Sequence, residues 1–520
     1  VSETRKWLIA ASVLFGTFLA VMDVAVVNVA LPHMMGSFGA SLSAITWVAT
    51  SYSIAEIVML TMAGWWSALL GRKRLYLLSF GLFSIGSMLA GMSQTFGQMI
   101  FFRVIQGIGG GSLIPISQAI LRETFPPEEQ GMAMAVYGMG VVLAPGVAPV
   151  LGGWLTEQYG WPWVFFINIP FAIVGILMIA TFVEDPHYLK RGVKKIDWTG
   201  IALLTIGLTS MQLVLERGQQ ENWFESHWIT AGTIVATATL ILLIVQQFRS
   251  SEPVVNLRLL ANRPLAVGSA MGLVFGIALY GTTFVLPQFT QNLLGYPAYQ
   301  AGLVLFPRVI TLFLLMPLAG WLYNRVDPRA MILFGSVIII VSYYELATLS
   351  LEVGFWNLVP MLLLMGAGMP FMFVTMSTVS LSSIPRADMT DASSLYTLAR
   401  RVGGNLGYAL VATVVERRTT IHRLYLTSHV NIFNQALRDF ANHASSVLGG
   451  LSAQPARDRL LALVDGWLFR QARMLAYNDV SLFMGALFLL VLPFVFLLPG
   501  QKVLRSQRSA EAARDHGEEI

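Results

Sequence analysis

Apolar residues run along this chain in stretches of about twenty, separated by short polar breaks. Each stretch is long enough to cross a hydrocarbon core of ~30 Å as a helix rising about 1.5 Å per residue. The pattern predicts fourteen spans, near residues 8–31, 44–68, 75–93, 97–120, 131–154, 163–183, 197–215, 228–248, 265–287, 300–323, 330–350, 357–382, 391–415 and 479–499. Basic residues cluster in alternate breaks: Arg5-Lys6, Arg72-Lys73-Arg74, Arg122, Lys190 to Lys195, Arg249 to Arg263, Arg325 with Arg329, Arg386, and Lys502 to Arg514. The opposite breaks, 32–43, 94–96, 155–162, 288–299 and 351–356, hold no Lys or Arg. The positive-inside rule therefore predicts both termini in the cytoplasm.

Composition agrees with a polytopic membrane protein: 55% of the 520 residues are hydrophobic, 12% are charged and mean hydropathy is +0.66. The net charge of +5 sits in short loops without interleaved aromatics, which excludes a nucleic-acid surface. With no cysteine, disulfides and thiolate metal sites are excluded as well. The first span is too long for a signal-peptide core and no small-residue cleavage site follows it, so it is expected to stay as the first helix.

A short repeat divides the chain. Ala63-Gly64-Trp65-Trp66 and Ala319-Gly320-Trp321-Leu322 lie 256 positions apart, and each closes a span beside a basic loop. An even number of spans separates them, as for parallel repeats related by an axis along the membrane normal. The expected architecture is all-α: a six-helix bundle over 1–190, an inserted helix pair over 191–260, a second six-helix bundle over 261–500, and a tail over 501–520. Residues 416–478, inside the second bundle, form a long outer loop. Phe433, Leu437, Phe440, Ala444 and Val447-Leu448, then Leu460-Leu461, Val464, Trp467-Leu468 and Leu475, predict two amphipathic helices there. They suit either the bilayer surface or a partner protein.

Five ionisable residues stand out within the spans: Asp23, Glu56, Arg103, Arg308 and Glu345. A charge at the centre of a membrane helix costs at least ~2.5 kcal/mol, so each is a candidate functional group. A carboxylate in a cavity that is alternately wet and dry takes up and releases a proton, which suits Asp23 and Glu56 to proton coupling. Arg103 keeps its charge at any accessible pH and is suited to switching a nearby carboxylate. Arg308 and Glu345, in the outer halves of consecutive spans, are expected to form a static pair. Gly107-Ile108-Gly109-Gly110-Gly111 lies within an apolar helix and follows no strand, so it reads as a helix-packing surface, not a phosphate loop. Pro145, Pro149 and Gly152-Gly153 predict a kinked, closely packed fifth span, a candidate moving interface. The isolated histidines have no ligand spacing, and no cluster of catalytic or metal-binding side chains gathers at one membrane face. This argues against an enzyme or a metal centre.

Together these residues resemble the major facilitator superfamily, and within it the fourteen-helix drug:proton antiporters of the EmrB type. Asp23 and Asn28 lie in a stretch similar to the helix-1 motif, Arg103 to Gly109 with Gln106 resembles the helix-4 proton-transfer motif, and Ala148 to Gly153 resembles the helix-5 antiporter motif, with Ala148 in place of its usual Gly. Trp161 to Pro170, and Leu215-Glu216-Arg217-Gly218 followed by Trp223-Phe224, are similar to the EmrB type in particular. Gly64, Gly71, Arg72 and Lys73 match the loop motif after helix 2, but Ala68 and its second-half counterpart Asn324 replace the usual Asp. The charge-relay role of that Asp cannot be carried over.

The resemblance implies an exporter of hydrophobic or amphipathic compounds in the bacterial inner membrane, driven by the proton gradient without a cofactor. Its two bundles would rock about a central cavity to which Asn28, Gln106, Arg308 and Glu345 contribute. It also implies a periplasmic adaptor of the membrane-fusion type and an outer-membrane channel of the TolC type, which turns the outer loop toward partner docking. Alternatives are an exporter of an endogenous product such as a fatty acid or siderophore, and, from another class, a non-transporting membrane receptor or enzyme.

Overall fold

The computed structural model describes residues 3–185, 195–430, 435 and 453–506. These form helices and connecting turns, with no strand among them. The long helices are α1 Glu3–Phe38, α2 Trp47–Thr61, α3 Arg72–Gly91, α4 Phe96–Gly111, α5 Gln130–Tyr159, α6 Asn168–Phe182, α7 Trp198–Arg217, α8 His227–Arg249, α9 Arg263–Gln288, α10 Phe306–Tyr323, α11 Pro328–Leu346, α12 Phe355–Ser380, α13 Met389–Ser428 and α14 Ala453–Val495. Short helices extend some of them: Ala63–Leu70 continues α2, and Leu113–Thr124 continues α4.

Among the described residues thirteen spans are long and apolar enough to cross a membrane. The remaining expected span falls on α13, a 40-residue helix that carries Asp391, Arg400 and Arg401. A helix this polar belongs in a bundle interior, where neighbours satisfy its side chains. Its near-continuous buried stretch from Met389 to Thr397 fits that place.

The packing repeats. Helix α1 packs on α5 and α6, α4 on α2 and α3, and α3 on α6; in the same order α9 packs on α13 and α14, α12 on α10 and α11, and α11 on α14. The two sets meet where α5 packs on α10 and α12, and where α13 packs on α2 and the extension of α4. The repeated glycines explain two of these crossings. A methyl group at Gly64 would collide with Asp391 in the first turn of α13, and one at Gly320 would lie 2.8 Å from the Gly131 carbonyl in the first turn of α5. Each therefore admits the start of a helix from the other set.

Close approach also shapes the first set. A methyl group at Gly107 would lie 2.5 Å from the Tyr52 carbonyl oxygen, and one at Gly111 would lie 2.4 Å from that of Glu56, so α4 presses directly on α2. Helix α5 runs unbroken through Pro145 and Pro149. Gly152 packs on Val26, but a side chain at Gly153 would meet nothing within 4 Å, so the expected close packing holds only for the first of the pair. Gly71 sits at φ +83°, a backbone conformation that favours glycine, and joins the α2 extension to α3.

The outer loop is narrower than expected. Helix α13 continues to Ser428, and the segment around Trp467 belongs to the first part of α14 itself, because no proline separates Leu460 from the apolar span. Of the other expected amphipathic helix, Phe433, Leu437, Phe440, Ala444 and Val447-Leu448 lie outside the described residues. The projecting parts of α13 and α14 are bound together: Asp479 accepts from Arg418 and contacts His422 at 2.6 Å, and Arg423 donates to Asp465 at 2.6 Å.

Candidate functional site

Asp23 has no exposed surface and accepts three hydrogen bonds. Arg103 Nη1 donates to Oδ2 at 2.6 Å, while Gln106 Nε2 and Asn168 Nδ2 donate to Oδ1 at 2.8 and 2.9 Å. One helical turn brings Arg103 and Gln106 to the same face of α4, and the Gly107 crossing holds that face against α2. Arg103 is itself fixed: Nε donates to the Val48 carbonyl at 2.9 Å, Nη1 also donates to Gln106 Oε1 at 2.6 Å, and the guanidinium lies 4.3 Å from the Tyr52 ring centroid. Asn168 also donates to Ser87 Oγ at 3.1 Å, tying α6 to α3. Charge-assisted bonds of this kind are the strong ones.

Glu56 is equally buried but belongs to a different partner. Its carboxylate accepts from Arg401 of α13, not from Arg103, so this pair joins the two helix sets where the Asp23 pair joins α1 to α4. Further polar contacts follow along the same helices. Asn405, one turn beyond Arg401, donates to Gln212 of α7; one turn beyond Gln212, Glu216 accepts from Thr50 of α2. Trp223, in the turn after α7, donates to Thr413 at 3.1 Å. The inserted pair α7 and α8 is thus fastened to α2 and to α13, on the flank that carries Glu56 and Arg401.

At the end that carries the basic loops, Arg72 closes a third junction. It donates to Glu123, to Thr390 Oγ1 at 2.8 Å and to the Arg386 carbonyl at 3.0 Å, so one buried side chain holds the first set against the start of α13. Lys73 instead donates to the Ala180 carbonyl at 2.6 Å, within its own set. Asp388, half-buried in the turn before α13, has its carboxyl raised above the usual carboxylate range by desolvation. Arg122 donates to the Thr378 carbonyl and Thr397 to Gln118 Oε1, adding two more links across the seam.

The structure departs from two sequence expectations here. Asn28 is exposed and lies outside the Asp23 cluster: five positions further along α1 it faces another direction. Arg308 and Glu345 do not pair. Tyr343 points inward at 2% exposure, and Glu345, two positions later, is carried to the exposed side of α11. Pro149, by contrast, sits near Gly302, where α5 packs on the second helix set. Arg400, Arg401 and Asn168 were overlooked. The adjacent arginines fall inside the span expected at 391–415 and carry the same signal of a costly buried charge as Asp23. Asn168 is neutral and offers no such signal.

Among the described residues no three His, Cys, Asp or Glu side chains form a metal-binding group. The constellation instead consists of buried ion pairs on helices that cross a membrane and meet along a two-fold seam, the architecture of a membrane transporter. The family model described as Major Facilitator Superfamily matches residues 13–408, and the chain belongs to that family. It is 32% identical over 485 residues to the multidrug export protein EmrB of Escherichia coli strain K12, covering 92% of this chain and 93% of that one. It is 30% identical over 486 residues to the fatty acid resistance protein FarB of Neisseria gonorrhoeae, again covering 92% and 93%. Among solved structures, the proton:xylose symporter XylE bound to 6-bromo-6-deoxy-D-glucose superposes with a TM-score of 0.58 at 13% identity, covering 94% of this chain and 95% of that one, a likeness of fold.

Proposed function

We propose that this protein is a multidrug efflux transporter that exchanges protons for hydrophobic or amphipathic compounds by alternating access. The observation that carries the coupling is the fully buried Asp23 carboxylate held by Arg103, Gln106 and Asn168. Protonation removes the charge that Arg103 binds. Arg103 keeps its bond to the Val48 carbonyl, so the change loosens α1 from α4 and leaves α4 on α2. Glu56 acts at the seam: its protonation removes the charge that holds Arg401 and so weakens the contact between helix sets. Residues 1–190 and 261–500 are the two moving bodies, and residues 191–260 travel with the seam they bridge.

The alternation of basic loops supports a bacterial inner-membrane location with both termini in the cytoplasm. The 416–478 region then faces the periplasm. The joined projections of α13 and α14 expose Ile421, Leu424, Tyr425, Leu461 and Trp467, a surface suited to a periplasmic adaptor that leads to an outer-membrane channel. A second reading, export of an endogenous fatty acid, is favoured by the similarity to FarB.

The test is transport in proteoliposomes with an imposed pH gradient and ethidium as substrate. Wild type moves ethidium against its gradient, and Asp23→Asn does not. Undiminished proton-driven transport by the variant overturns the coupling assignment.

A further inference from the structure

The last six helices contain a buried arginine that the coupling scheme leaves unused. Arg308 of α10 is 4% exposed. Its Nη2 donates to Thr283 Oγ1 at 2.9 Å, and its Nη1 is buried without a hydrogen-bond partner. Among the described residues no carboxylate pairs with it and no aromatic ring stacks on it; Tyr343, a neutral phenol, is the titratable side chain near enough to interact with it. Other buried arginines have a carboxylate or a ring: Arg72 has Glu123 and Arg103 has Asp23, while Arg400 and Arg217, which also keep one buried nitrogen without a hydrogen-bond partner, lie over the Phe373 ring at 5.1 Å and the Trp47 ring at 5.2 Å.

A guanidinium cannot shed its proton to escape burial. Left uncompensated inside a membrane bundle, it calls for an anion from outside the chain. Two contacts place Arg308 beside the seam between the helix sets. The adjacent Val309 packs on Gly146 of α5. Thr283 is only half-buried and lies one turn from Tyr280, on the same face of α9, whose ring centroid is 6.0 Å from the Arg401 guanidinium. The repeat gives an independent register: Arg308 precedes Ala319 by eleven residues, as Tyr52 precedes Ala63. Tyr52 is the ring beneath Arg103, so the second half carries a positive charge where the first half carries its support.

We infer that Arg308, with Thr283, binds the carboxylate of acidic amphipathic substrates. The inference rests on the efflux reading and names a substrate class for it. The free Nη1 and the Thr283-bound Nη2 belong to one planar fork, whose geometry matches the two oxygens of a carboxylate.

Binding is measured by fluorescence titration of the full-length purified protein with dansylundecanoic acid, its methyl ester and ethidium. Arg308→Gln is expected to weaken the acid about ten- to a hundredfold, the range for a lost charge-assisted hydrogen bond, and to leave the ester and ethidium unchanged. Equal weakening of acid and ester, or no change in the acid, overturns the inference. If Arg308→Gln cannot be recovered folded, Arg308→Lys decides: it keeps the charge and loses the fork, so a loss confined to the acid supports the site, and an equal loss or none rejects it. Selective acid binding by wild type without proton-driven ethidium transport rejects the efflux reading and leaves the Arg308 site standing.

Discussion

Arg103 and Arg308 are both buried arginines in a membrane bundle, and their surroundings could hardly differ more. Arg103 bonds to a carboxylate, an amide oxygen and a backbone carbonyl and rests on an aromatic ring, whereas Arg308 bonds to one hydroxyl. The first charge is satisfied by the chain and responds only when Asp23 changes its own charge. The second is left receptive. On the proposed roles, the coupling site and the substrate site lie in different halves of one repeat.

The largest expected effect separates the halves by readout. Asp23→Asn should reduce proton-driven ethidium transport to the level of protein-free liposomes, and Arg308→Gln should leave it intact. Loss of ethidium transport in both would erase the distinction.

Stability gives the next contrast. Removing one member of a buried ion pair costs roughly 3–5 kcal/mol because it strands the other charge, whereas a buried ion without a charged partner strands none when an apolar side chain replaces it. Arg103→Met should therefore lower the thermal midpoint in detergent clearly, and Arg308→Met should hold or raise it. A comparable fall in both variants would assign Arg308 a structural role.

Glu56 and Arg401 sharpen the comparison by adding a saturated pair at the seam. Glu56→Gln should destabilise by less than the loss of Arg103, because a neutral amide still accepts from Arg401. The Glu56→Gln, Arg401→Gln double variant should show a coupling energy of about 1–3 kcal/mol in a thermal double-mutant cycle. Additive effects would mean that the pair does not hold the halves together. Asn168→Ala, which removes one of three bonds to Asp23, should cost about 1.5–3 kcal/mol in thermal stability while proton-driven ethidium transport persists.

Asp23 and Arg103 were legible in the sequence because a charge inside an apolar span is conspicuous, whereas Gln106 entered only through the resemblance of its stretch to the helix-4 motif. The all-helical fold followed from stretch length, with thirteen candidate spans among the described residues against fourteen expected, and the Gly64 and Gly320 repeat marked where the two helix sets meet. The partner of Glu56 was not legible. In a membrane protein, lipid-facing and packed positions are both apolar, so hydropathy gives depth along a helix but not direction around it. That is why Arg308 and Glu345, similar in depth, looked like partners, although Glu345 faces away. Arg401 was missed for the opposite reason: α13 is so rich in polar residues that two more arginines did not stand out. The continuation of α14 through the expected loop was hidden because amphipathic and fully apolar segments share one helical period.

The inserted helix pair bears on how such chains can be rebuilt. Thr50 reaches Glu216, Asn405 reaches Gln212 and Thr413 receives Trp223, so the pair is stitched to both sides of the seam. Excising residues 191–260 would leave those partners without their hydrogen bonds. The segment that looks most like a removable module is the one whose loss would need compensating changes in both halves at once.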